Sequence, residues 1–157
     1  MVWESPDLTT WDGPNLVKVS PEEAGMTWAP DAIWDPDQNA YMVVWSSDIE
    51  GGMKAMRAYT NDFKTFTEAE ISDTIKGMDQ TIAFDESSST YYLIHKNGPN
   101  NLIEEASAQG LDGDWTVVSQ SIGQEAMPAG EGPLIFKSNT EENKVRMKES
   151  SSNARES

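Results

Sequence analysis

Hydrophobic and polar positions alternate in short bursts along this chain, and no stretch sustains the 3.6-residue stripe of an amphipathic helix. The runs Tyr41-Met42-Val43-Val44-Trp45 and Tyr91-Tyr92-Leu93-Ile94-His95 are rich in β-formers and bounded by turn residues, which is the pattern of strands. Leu16-Val17-Lys18-Val19 reads as a further strand, and Pro21-Glu22-Glu23-Ala24 as at most one helical turn. The loops ahead of the two long runs, Asp35-Pro36-Asp37-Gln38-Asn39 and Asp85-Glu86-Ser87-Ser88-Ser89, have hairpin chemistry. The pattern predicts an all-β chain.

The pattern also repeats. Trp28-Ala29-Pro30-Asp31-Ala32-Ile33-Trp34, Met78-Asp79-Gln80-Thr81-Ile82-Ala83-Phe84 and Gly130-Glu131-Gly132-Pro133-Leu134-Ile135-Phe136 each end a short apolar segment on an aromatic. Aligning those aromatics gives steps of 50 and 52 residues and places Ala29, Asp79 and Glu131 at one position. A polar turn flanked by aromatics recurs at a similar interval, from Trp3 to Trp11, from Ala58 to Phe66, and more faintly from Leu111 to Val118. A unit of about 50 residues holding about four short strands is the sequence mark of a propeller blade. A β-sandwich shares the short strands but does not require the same motif to recur. Two or three blades are present on this reading. If the repeats pack side by side around an axis, Asp79 and Glu131 point at one place.

Composition narrows the function. The 157 residues suit one domain, and a net charge of −16 repels a phosphate backbone or an anionic membrane surface, which excludes nucleic acid as the expected partner. There is no cysteine and a single histidine, His95, so thiolate chemistry and most multi-histidine metal sites are excluded. No apolar run is long enough to span a membrane, and the N-terminus lacks the basic and apolar regions of a signal peptide. From Lys137 onward the chain carries five basic and four acidic side chains, whereas the part before it carries −17. That change, with few large apolar residues and many serines, predicts a domain over residues 1–137 and an unpacked tail over 138–157.

With those residues in view, the chain resembles glycoside hydrolase family 43. The matching segments are Ser5 to Trp11, Thr27 to Asp35, Met78 to Asp85 and Gly130 to Phe136. The resemblance implies a five-bladed β-propeller, a carbohydrate substrate with arabinosyl or xylosyl linkages, no cofactor, and a place outside the cell as one possibility. In that family three carboxylates line a central channel. By motif, Glu131 matches the general acid and Asp79 the aspartate that orients and tunes it. The general base belongs to an aspartate-proline motif ahead of the Ser-x-Asp-Leu turn, where only Met1 to Glu4 stand here, so the base is expected to be absent. Gln80 stands where the family usually has proline, and the family's strand pattern is lost after Phe136.

Glycosidic cleavage needs a proton delivered to the leaving oxygen while a second group activates water on the opposite face. A neighbouring carboxylate is one device that makes a general acid hold its proton, and Asp79 supplies that neighbour to Glu131. Without a base about 6.5–9.5 Å away no water is activated for inversion, so a catalytically inactive, carbohydrate-binding propeller or a truncated product stands as the rival to an enzyme. Trp28 and Met78 are candidate sugar contacts; Trp3, Trp11, Trp34, Trp45 and Trp115 are expected in packing, and His95 as a structural histidine. Asp35, Asp37 and Asn39 imitate a calcium loop, but Ala40 and Ser46 replace its glycine and bidentate glutamate, so no metal site is expected.

Overall fold

The computed structural model describes residues 1–98, 101–125, 130–141 and 144–151. Among them the chain is all-β, without a helix, and its sheets are antiparallel. Strand β1 (Val2–Glu4) pairs with β2 (Asp12–Asn15). Strands β3 (Thr27–Asp35), β4 (Ala40–Ile49), β5 (Gly52–Thr60) and β6 (Glu70–Ile71) form one four-stranded meander. Strands β7 (Met78–Asp85), β8 (Thr90–Asn97), β9 (Leu102–Ala108) and β10 (Thr116–Ser119) form a second. Strand β11 (Gly130–Lys137) pairs with β12 (Val145–Ser151).

The two long apolar runs became β4 and β8, the second strands of the meanders. Strand β4 is buried on both faces, which is why it reads as a continuous apolar run rather than an alternation. Met42 and Val44 pack with Leu93, Tyr91 and Ile82 of the second meander, while Val43 and Trp45 pack the other way, against Met56, Phe63 and Val19. The expected hairpins close with a left-handed residue, Asn39 and Ser89, and with carboxylates that accept from the turn amides: Asp35 Oδ1 from Asp37 N at 2.9 Å, Asp85 Oδ2 from Ser88 N at 3.1 Å. The polar turns repeat in detail. Asp7 accepts from the amides of Thr9 and Thr10, and Asp62 from those of Lys64 and Thr65. In the fainter third copy Asp112 instead pairs with Arg57 across the meanders.

The first strands β3, β7 and β11 lie in sequence against one another. Asp31 Oδ2 accepts from Ile82 N at 2.9 Å, and Thr81 Oγ1 from Ile135 N at 3.5 Å. Three expectations are corrected here. Leu16 to Val19 form no strand: β2 ends at Asn15, opposite Val2 of β1, and no strand among the described residues pairs with the four residues that follow. Residues 145–151, expected to lack regular packing, pair with β11 from Lys137↔Val145 to Gly130↔Ser151. An edge strand is held by backbone hydrogen bonds, which composition does not register. The rest of the expected tail, residues 142–143 and 152–157, lies outside the described residues. Finally, Trp45 is buried and Trp115 packs on the core, but Trp3, Trp11 and Trp34 are exposed; Trp34 keeps an edge-on contact with Tyr41 at 5.1 Å.

Candidate active site

Each first strand has one irregularity near its start. On β3 the pairing jumps from Trp28↔Ser46 to Asp31↔Val44, on β7 from Met78↔Lys96 to Thr81↔Ile94, and on β11 from Glu131↔Ser150 to Leu134↔Lys148. Three steps on one strand answer two on its partner, which is a β-bulge. The second bulge residue is left-handed each time: Ala29 at φ 50°, Asp79 at 54° and Gly132 at 51°. The structural steps are therefore 50 and 53 residues, not 50 and 52. Asp79 is the counterpart of Ala29 and Gly132, and Glu131 is the counterpart of Trp28 and Met78. Pro30, Gln80 and Pro133 then align as well.

The two carboxylates nevertheless meet. Lys96 Nζ lies 2.5 Å from Glu131 Oε2 and 3.5 Å from Asp79 Oδ2, so the two oxygens are no farther apart than those two distances together. Asp79 Oδ2 also accepts from Gly132 N at 3.3 Å. The side chains of Lys96 and Asp79 are 10% and 13% exposed, that of Glu131 36%. The pair is thus rooted in the protein and open to solvent only on the Glu131 side. The ammonium between them offsets the repulsion that two carboxylates would otherwise feel at this range, and its own burial is tolerable because it is doubly paired.

Three residues that build this arrangement were not legible as site residues. Ser46 Oγ accepts from Asp79 N at 3.0 Å and donates to Gln80 Oε1 at 3.2 Å. Gln80 Nε2 donates to the Gly77 carbonyl at 2.7 Å, so the amide that replaces the family's proline ties the bulge both to β4 and to the residues leading into β7. Lys96 occupies on β8 the place of Ser46 on β4, and both reach across to the next first strand. The sequence hint was a cation closing an apolar run. Of the expected sugar contacts, Trp28 is 49% exposed at the bulge of β3. Met78 lines a separate cavity of about 650 Å³ with Met53, Lys54, Ile75 and Lys76. His95 is buried, its Nε2 3.9 Å from Glu104 Oε2, and it takes no part in the pair. Among the described residues no group of three or more His, Cys, Asp or Glu could hold a metal ion.

Paired carboxylates on a rigid frame are the equipment of glycoside hydrolases, and that is the class to which comparison with known proteins assigns the chain. It belongs to the family described as a probable glycosyl hydrolase domain, of the family 43 type, whose model matches residues 1–154. The match includes β12. The chain is 32% identical over 145 residues to an alpha-L-arabinofuranosidase of Bifidobacterium longum subsp. longum, an alignment covering 77% of this chain and 13% of that protein. The chain thus spans a small fraction of the curated relative it matches. No solved structure matches it.

Proposed function

We propose that this chain carries the proton-donating part of an inverting glycoside hydrolase acting on arabinosyl or xylosyl linkages, with Glu131 as general acid and Asp79 as its orienting partner. The observation that supports it is the convergence of Asp79 and Glu131 on one nitrogen, Lys96 Nζ. On this reading the meanders are consecutive blades of a five-bladed propeller, and β3, β7 and β11 are the strands nearest its axis. The arabinofuranosidase relative favours the arabinosyl linkage of the two. The general base is assigned to no residue of this chain, so hydrolysis by the chain alone stays near background; loss of a general base typically costs about 10²–10⁴ in rate.

The test is release of nitrophenol from aryl arabinofuranosides and xylosides by three proteins: this chain, a longer form that includes the sequence encoding the aspartate-proline motif, and that form with Glu131→Gln. Activity is expected in the second protein only. Full activity in the Glu131→Gln protein overturns the assignment of the acid, and activity in the short chain overturns the absent base. A second reading, a carbohydrate-binding propeller without catalysis, is favoured by Trp28, whose indole is 49% exposed at the bulge of β3. Saturable arabino-oligosaccharide binding with no turnover in the long form, and weaker binding in Trp28→Ala, would select it.

A further inference from the structure

We propose that the β1–β2 and β11–β12 pairs are complementary halves of one meander, and that two copies of this chain join head to tail through them into a closed ring. The proposal is independent of the glycosidase reading, in which strands of a longer form take up the same two edges. It starts from strand identity. The first half-sheet repeats the outer half of the first meander with a step of 55 residues. Val2↔Asn15 answers Arg57↔Glu70, and Glu4, opposite Asp12, answers Tyr59, whose carbonyl accepts from Thr67 N. The turns agree too: Asp7 stands for Asp62, and left-handed Leu8 for left-handed Phe63. Strands β1 and β2 are therefore a third and a fourth strand. The bulge makes β11 a first strand and β12 a second, and among the described residues β12 has no third. Its outer edge is a template for one.

The register follows from the complete meander. Leu134↔Lys148 answers Asp31↔Val44, and Val44, Val43 and Met42 pair with Arg57, Ala58 and Tyr59. Across copies Lys148 then faces Val2, Met147 faces Trp3, and Arg146 faces Glu4. Opposite charges directly across a ladder are favourable. Residues 144–151 carry a net +2, and residues 1–15 hold three carboxylates and no basic side chain. Glu4 now pairs with Lys64 and Arg146 with Glu141, on exposed side chains, and such pairs are cheaply exchanged. The apolar positions agree as well. Trp3, Leu8 and Trp11 are exposed, whereas their counterparts Ala58, Phe63 and Phe66 pack with Val43 and Trp45 of a second strand. Head-to-tail contacts close into rings when the rotation allows, and propellers close with about four to eight sheets. One copy closing on itself supplies three. Two copies supply six, of which two are completed between copies.

The test is sedimentation of this chain over a wide range of concentration. The 17.4 kDa species should give way to one of twice that mass and stop there. Glu4→Lys and Arg146→Glu, each verified as folded by amide spectra, should each weaken association about 10-fold, and both reversals in one chain should recover most of it. The chain has no cysteine, so a second measurement reads the register directly. Facing positions of an antiparallel pair lie about 4.5–5.5 Å apart at Cα, within disulfide reach. Trp3→Cys protein mixed with Met147→Cys protein should cross-link on oxidation, and neither should do so alone. A monomer at every concentration overturns the proposal, as does a dimer indifferent to both reversals or equal cross-linking in the unmixed proteins. Assemblies that grow past two copies overturn the closed ring.

Discussion

Gly77 and His95 are a pair that only makes sense together. Gly77 is left-handed at φ 78°, and a Cβ there would sit 2.1 Å from His95 Nδ1 and 2.7 Å from the Lys96 carbonyl oxygen. Gly77→Ala therefore strains the backbone and displaces the strand that carries Lys96, and should cost about 2 kcal/mol or more in urea unfolding. His95 itself makes stability depend on pH. Burial pushes its proton affinity below the ordinary 6.5, with the Lys96 backbone and Glu104 opposing the shift. The unfolded histidine then takes up a proton before the folded one does. Its contribution is complete above about 6.5 and is lost as pH falls through the lowered folded value. Between about pH 7.5 and pH 5.5 the urea midpoint should drop further in wild type than in His95→Gln; an equal drop in both would show that other groups govern this window.

At the scale of elements, the second strands lie in the core, and the first strands β7 and β11 carry the candidate acid pair Asp79 and Glu131. Leu93 on β8 is 1% exposed within the core shared by the two meanders, while Leu134 on β11 is 50% exposed. Leu93→Ala should cost about 2–5 kcal/mol, and Leu134→Ala about 0.5 kcal/mol or less, as measured by denaturant unfolding of the two variants. The polar turns are braced rather than buried. Backbone amides of Thr65 and Lys64 hold the Asp62 carboxyl down to about 2, so its stabilising effect is present above the ordinary 3.8 and is lost as pH falls through about 2.

The molecule as a whole is a row of sheets stitched at their first strands by Asp31, Thr81 and the Lys96 pair. The last two-stranded sheet depends on β12, which supplies the only ladder partner that β11 has among the described residues. Hydrogen exchange should therefore find protected amides on both β11 and β12. Removing residues 145–157 should expose the β11 amides and loosen Glu131, while β8 keeps its protection. Rapid exchange throughout Val145–Ser151 in the intact chain would show that β11 stands without it.

The sequence by itself determined the strand content, the hairpins and the repeat, because each is written in local chemistry: apolar runs that must be buried, carboxylates that cap turns, and motifs that recur at a fixed interval. It also named Asp79 and Glu131. What it misplaced was their relation. Counting back from aromatics made them equivalent, whereas the bulges make Asp79 the partner of Gly132, a register visible in sequence only through Pro30 and Pro133. The tertiary structure decided the remainder. Lys96, Ser46 and Gln80 act at residues 33 to 35 positions away, and which side chains face each other across two sheets depends on strand pairing that no local pattern encodes. Strand β12 was hidden for a related reason: it is held by the backbone of its partner, and backbone hydrogen bonds leave little trace in composition.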